Sequence, residues 1–126
     1  MNTSFKNYVI SIMVIFCTLN VYSQDVRCNE LLTFVKKEGK KKGSVNAMQL
    51  INSSWLKSVA CYEVDGNLAV IANIKTNEYS LYGKEYIFCG IPLSNWNAFY
   101  NGLYAIGTSY GERFHKYIYK YKCDCD

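Results

Sequence analysis

The sequence holds one histidine, His115, and one proline, Pro92. A single histidine leaves a Ser-His-Asp or Cys-His site only one possible base. The acid at helical spacing from it is Glu112, and Glu63 and Asp65 flank a turn, so neither a triad nor a carboxylate pair for acid–base work is in view. No glycine-rich phosphate loop is present either, because "GTSYG" lacks the strand–loop–lysine arrangement that cradles phosphates. Catalysis is therefore not expected. Charge is also scarce: the formal net charge is +4, too mild for a dedicated nucleic-acid binder, which concentrates far more on one face. A metal centre would need a second ligand pair beside the terminal "KCDCD", and only His115 is near. No metal and no cofactor are expected.

The longest apolar run, residues 8–19, holds twelve residues and spans about 18 Å as a helix, well short of a roughly 30 Å hydrocarbon core. It follows a short polar start containing Lys6 and precedes "NVYSQD", with Val21 and Ser23 at −3 and −1 of a cut before Gln24. A basic start, an apolar run and small residues at the cut describe a secretory signal over residues 1–23. Cys17 lies inside the apolar run behind the bulky Phe16, which argues against a lipid attachment. The expected product is secreted or periplasmic, with no transmembrane span after cleavage. Lys6 is the only charged residue removed, so 13 basic and 10 acidic residues remain, a balance of +3.

What is present is apolar and aromatic. Half of the residues are hydrophobic and 12 are tyrosine, enough for one domain with a real core. Five cysteines survive the cut: Cys28, Cys61, Cys89, Cys123 and Cys125. In an oxidising compartment bridges are expected, and an odd count leaves at least one thiol over. Cys28 with Cys123 or Cys125 is the natural pairing, and Cys61 with Cys89 a second.

Along the chain, 29–38 shows Leu31, Leu32 and Val35 on one side of a short helix that Gly39 ends. Residues 24–52 thus form a helical extension and a basic linker, since "KKKG" at 40–43 has the composition of a solvated loop. From Ser53 the texture is that of strands. Asp65-Gly66 between two β-rich runs marks a hairpin, and Leu68, Val70, Ala72 and Ile74 alternate onto one face. Tyr86 and Phe88 share a face two residues apart, and Pro92 closes the segment. A helix follows, with Ser94 as its cap and Trp96, Phe99, Tyr100 and Leu103 at buried-face spacing. In the last helix Phe114, Tyr117, Ile118 and Tyr121 form the inward stripe. Arg113, Lys116 and Lys120 form an outward cationic stripe, with His115 and Tyr119 between the two. Rings that stack bases must share a surface with cations, so this division favours core packing. The expected fold is α+β: an antiparallel meander of three or four strands packed against two C-terminal helices, with a short N-terminal helix and a cysteine-containing tail at 122–126.

The ordered elements "SS", "VACYE", "LAV", "YIFCGIP" and S-x-G-x-x-F-x-x-x-I, from Ser53 to Tyr121, resemble the KTSC domain, a small module found at the C-terminus of some lysyl-tRNA synthetases. The family's Tyr-x-Tyr before Val-Pro corresponds to Tyr86-Ile87-Phe88 before Ile91-Pro92, with Phe88 lacking the second hydroxyl. Its late element corresponds to Ser109, Gly111 and Phe114, with Ile118 one turn on. The span between Leu68 and Tyr86 is longer than the family's. The resemblance implies no established activity, and its synthetase context points to RNA, which export argues against. The expected function is a non-catalytic binding module for an unknown protein or envelope component, with Tyr86, Phe88, Ser109, Gly111, Arg113, Lys116 and Lys120 as candidate surface residues. The alternative is nucleic-acid or polyanion binding through residues 40–42 with Arg113, Lys116 and Lys120.

Overall fold

A computed structural model describes residues 24–77, 79, 80, 82–102 and 106–125; the signal segment and Leu103 lie outside the described residues. Helix α1 (Gln24–Glu38) leads into strand β1 (Lys40–Val45), followed by β2 (Leu56–Val64), β3 (Asn67–Ile74) and β4 (Lys84–Cys89). Helices α2 (Leu93–Asn101) and α3 (Tyr110–Tyr117) and a single 3-10 turn (Tyr119–Tyr121) complete the chain. The four strands form one antiparallel sheet in the order β1-β2-β3-β4. The fold is α+β, as the patterning indicates.

Local chemistry explains most of these elements. At the β2–β3 hairpin Asp65 and Gly66 both take positive φ, 50° and 80°, the conformation that lets a two-residue turn match strand twist. Gly90, at φ 64°, releases the chain from β4, and Pro92 stands at the N-cap of α2, its carbonyl accepting the amides of Asn95 and Trp96. Ser94 therefore lies inside the first turn of α2, which has no side-chain cap, contrary to the expectation that Ser94 caps it. Gly102 ends α2 in the left-handed conformation and donates its amide to the carbonyl of Ala98.

Three features depart from the sequence reading. Residues 40–45 are a strand. Its pairing with β2 supplies backbone hydrogen bonds whatever the side chains are, and a bulge between Lys41 and Gly43 shifts its register. Lysines and a bulge suit a sheet edge, where they discourage unwanted pairing. Gly43 is needed there because the rings of Trp96 and Tyr100 stand 3.2–3.7 Å from where its Cβ would be. The second departure concerns α1, which packs on one sheet face rather than standing apart as an extension. Val35 is buried with Ala69, Ile71 and Ile87, and Leu31 and Leu32 pack around them. The opposite face carries the main core, where Val59, Cys61, Val70, Phe88, Phe99 and Phe114 meet beneath α2 and α3. Covered on both sides, β3 reads as a nearly unbroken apolar run.

Disulfide pairing is the third. Cys28 bonds Cys125, one of the two partners anticipated for it, but Cys89 bonds Cys123 and Cys61 is a buried free thiol. Cys61 aligns across the sheet with Val70 and then Phe88, whereas Cys89 belongs to the α1 face. The two thiols sit on strands separated by β3 and on opposite faces, roughly 10 Å apart in strand spacing alone, beyond disulfide reach. The tail instead runs along the outer edge of β4: Lys122 bridges Phe88, and the Cys123 amide donates to the Ile87 carbonyl at 3.1 Å.

Candidate functional site

The two ends of the resemblance meet in space. Ser53, Ser54 and Trp55, just before β2, and Ser109, Gly111 and His115, at the start of α3, line one cleft of about 500 Å³. Each wall is built locally. Ser53 Oγ accepts the Leu56 amide at 3.0 Å, turning the chain into β2. In the preceding turn Asn46 and Gln49 exchange backbone-to-side-chain hydrogen bonds, both at 3.0 Å. Ser109 Oγ accepts the Glu112 amide at 3.1 Å and caps α3. Gly111 is buried in the first turn of α3 because Trp55 lies on it, with the indole Nε1 3.2 Å from a Cβ position. Its role is close approach; it is absent from the glycines with positive φ. Trp55 also meets Phe114 edge-on at 5.7 Å and the His115 ring at 4.7 Å, and His115 in turn meets Tyr119 at 5.1 Å.

Arg113 does not join an outward stripe. It is only 9% exposed, and its guanidinium donates from Nε to the Phe99 carbonyl at 2.8 Å and from Nη1 to the Thr108 carbonyl at 2.7 Å. The guanidinium carbon lies 4.4 Å from the Tyr110 ring centroid, and Gly102 packs against the same group. Phe99 contributes one of the last-turn carbonyls of α2, so the cation also sits at the negative end of that helix. Arg113 is a structural clamp between α2 and α3. The i, i+3, i+7 spacing with Lys116 and Lys120 had suggested solvent, but its i, i+4 relation to Tyr117 turns it equally well toward the interior.

The remaining candidates separate further. Phe88 is buried in the core, its ring 5.2 Å from that of Phe114. Tyr86 is half-buried, and the ammonium groups of Lys84 and Lys122 each stand over its ring, 5.4 and 5.5 Å from the centroid. Lys116 and Lys120 are exposed and lie over the rings of Tyr117 and Tyr121 at 5.4 and 5.3 Å. Those two tyrosines are half-buried, and Asn95 Nδ2 donates to the Tyr117 carbonyl at 2.9 Å. Sequence reasoning missed Trp55, Lys84 and Lys122. Trp55 was visible as a tryptophan directly after the serine pair, but nothing local announces that Lys84 and Lys122 converge on one ring.

A second cleft, of about 600 Å³, opens at the other end of the sheet beside Leu68, Pro92 and Trp96. Lys42 and Glu63 on its wall form an ion pair at 2.7 Å. The hydrogen bond from Lys42, and then its charge, hold the Glu63 carboxyl below the usual range. Lysines 40–42 thus lie on the opposite sheet edge from Lys84 and the tail. Among the described residues no three His, Cys, Asp or Glu side chains are placed to hold a metal ion, and no helix is long and apolar enough to cross a membrane. Comparison with protein-family models, curated proteins and solved structures found no match. What stands on its own is the class: an α+β domain with a both-faces-covered antiparallel sheet and two disulfides.

Proposed function

We propose that the protein is an exported, non-catalytic binding module of the KTSC type, using the cleft between Trp55 and the start of α3. The observation supporting this is the convergence on that cleft of Ser53 and Ser54 with Ser109 and Gly111, residue groups more than fifty positions apart. His115 is held between two aromatic rings, and among the described residues neither ion pair includes it. An open cleft with an aromatic wall and hydroxyl rims suits recognition more than proton transfer. Two disulfides fit an oxidising compartment.

The test has two arms. Intact mass of the protein recovered outside the cytosol should correspond to a chain beginning at Gln24 and lacking four hydrogens for its two disulfides. Nuclease, peptidase and glycosidase substrates should show no turnover that His115→Ala removes. A full-length intracellular product would sink the export half, and His115-dependent turnover the non-catalytic half. For a cleft ligand, envelope fractions should shift the Trp55 indole and Ser109 amide resonances selectively.

A further inference from the structure

The lining of the Trp55 cleft restricts what can enter it. Among its side chains are one carboxylate, Glu112, and one arginine, Arg113, and it contains no lysine. The Arg113 guanidinium is buried, turned to the Phe99 and Thr108 carbonyls. Glu112 is exposed and belongs to neither ion pair among the described residues. A phosphate or carboxylate would therefore meet a negative charge and no accessible ammonium or guanidinium. A cation would find the carboxylate but no cage of rings, because the Tyr110 ring already holds the Arg113 guanidinium at 4.4 Å. A peptide cannot extend the sheet here either. The Trp55 carbonyl accepts the Lys75 amide at 2.7 Å, and the Leu56 amide is held by Ser53 Oγ.

What the cleft does offer is rings and neutral polar groups. Trp55, His115 and Tyr119 touch in sequence, 4.7 and 5.1 Å apart with planes tilted 42° and 45°. Trp55 is half-buried and the other two are exposed, so the row leads out of the cleft along α3 to the 3-10 turn. We propose that the cleft binds a neutral oligosaccharide, one sugar ring lying on Trp55 and His115 and the chain continuing over Tyr119. Sugar C–H groups carry a slight positive charge that the negative face of an aromatic ring attracts. Sugar hydroxyls both donate and accept, and the rim supplies both partners in the Ser54 hydroxyl, the Asn52 amide and the Glu112 carboxylate. The proposal rests on the reading of this cleft as a binding site and narrows its ligand.

The experiment titrates the disulfide-intact protein with maltotriose, cellotriose and the N-acetylglucosamine trimer, following the Trp55 indole resonance. Tetramethylammonium and inorganic phosphate serve as charged probes. At least one trisaccharide should bind, and more tightly than its own monosaccharide. Its affinity should change less than about 2-fold between about 50 and 200 mM salt, because no counterions are released. His115→Ala should weaken it about 2- to 10-fold, the worth of one ring contact, and Glu112→Ala about 10-fold. Tyr119→Ala should weaken the trisaccharide and leave the monosaccharide unchanged. All three side chains are exposed, so the fold should survive, as an unchanged thermal midpoint would show. Leu93→Ala, at the second cleft, should leave the affinity as it is. No binding by any of the trisaccharides, tighter binding of either charged probe, or an affinity indifferent to both His115→Ala and Glu112→Ala would overturn the saccharide. If envelope fractions then still shift the cleft resonances, the cleft remains a binding site for another ligand. If they shift nothing, the binding-module reading falls with it.

Discussion

Arg113 shows how one side chain changes role with its surroundings. A buried guanidinium is tolerated because it is satisfied by the Phe99 and Thr108 carbonyls and faces the Tyr110 ring. Arg113→Met removes two hydrogen bonds from a charged group, at roughly 1.5–3 kcal/mol each, and with incomplete relaxation is expected to cost about 2–4 kcal/mol. Urea unfolding should show a lower midpoint at unchanged slope, and Arg113→Lys should not restore it, since one ammonium lacks the fork that spans two carbonyls. Cys61 is the other residue defined by burial. Desolvation, and then the Glu63 charge, push its thiol from 9.0 up to about 12. In a chain starting at Gln24, a thiol reagent at pH 8 should find no reactive cysteine in the native protein and one, Cys61, in denaturant. Because the folded value is the higher one, the stability this thiol confers is complete below pH 9.0. It declines as pH rises from there toward about 12.

At the scale of elements, α3 depends on its first turn. It has eight residues, too few to be stable in isolation, so packing and capping must hold it. Ser109 supplies the cap. Ser109→Ala should therefore destabilise the domain by about 1 kcal/mol, read as a drop in thermal midpoint, and Ser109→Asp should recover most of it. Helix α3 also stops earlier than its pattern implies. The regular turns end at Tyr117, and a single 3-10 turn carries the chain to the tail, with the Tyr121 amide donating to the Ile118 carbonyl. That change of pitch leaves Phe114 and Ile118 fully buried while Tyr117 and Tyr121 are only half covered. The inward stripe was legible from its period, but its degree of burial was not, because the period assumes a helix that continues.

For the whole molecule the two disulfides act as the closure. Cys28–Cys125 joins the first described turns of the chain to its end across 97 positions, and Cys89–Cys123 fixes the tail to β4 across 34. Removing the longer one through Cys28→Ser/Cys125→Ser should cost about 2–4 kcal/mol by loss of loop-closure restraint. The midpoint temperature should fall by at least about 10 °C for a domain of this size. Amide exchange should rise first in α1 and the tail. Val35, Leu31 and Leu32 still bury against the sheet, and the Lys36–Glu85 ion pair at 2.6 Å is a minor addition because both side chains are largely exposed. If exchange instead rose uniformly, α1 would be part of one cooperative unit with the sheet, and the clasp would matter only globally.

The amino-acid order by itself determined the hairpin at Asp65-Gly66, the alternating face of β3 and the break at Pro92. Each of those depends on neighbours within one turn, or on a period of two or 3.6 residues, and such signals are carried by the chain itself. Only the tertiary structure decided that 40–45 is a strand, that Arg113 turns inward, that Cys89 takes Cys123, and that Ser53–Ser54 and Ser109 share a cleft. In each case the deciding partner lies far along the sequence: the edge of β2, the end of α2, the outer side of β4 or the indole of Trp55. Lysines 40–42 look like a solvated loop until a neighbouring strand offers hydrogen bonds that take no account of side chains. A contact whose energy comes from such a distant surface leaves no local pattern to read.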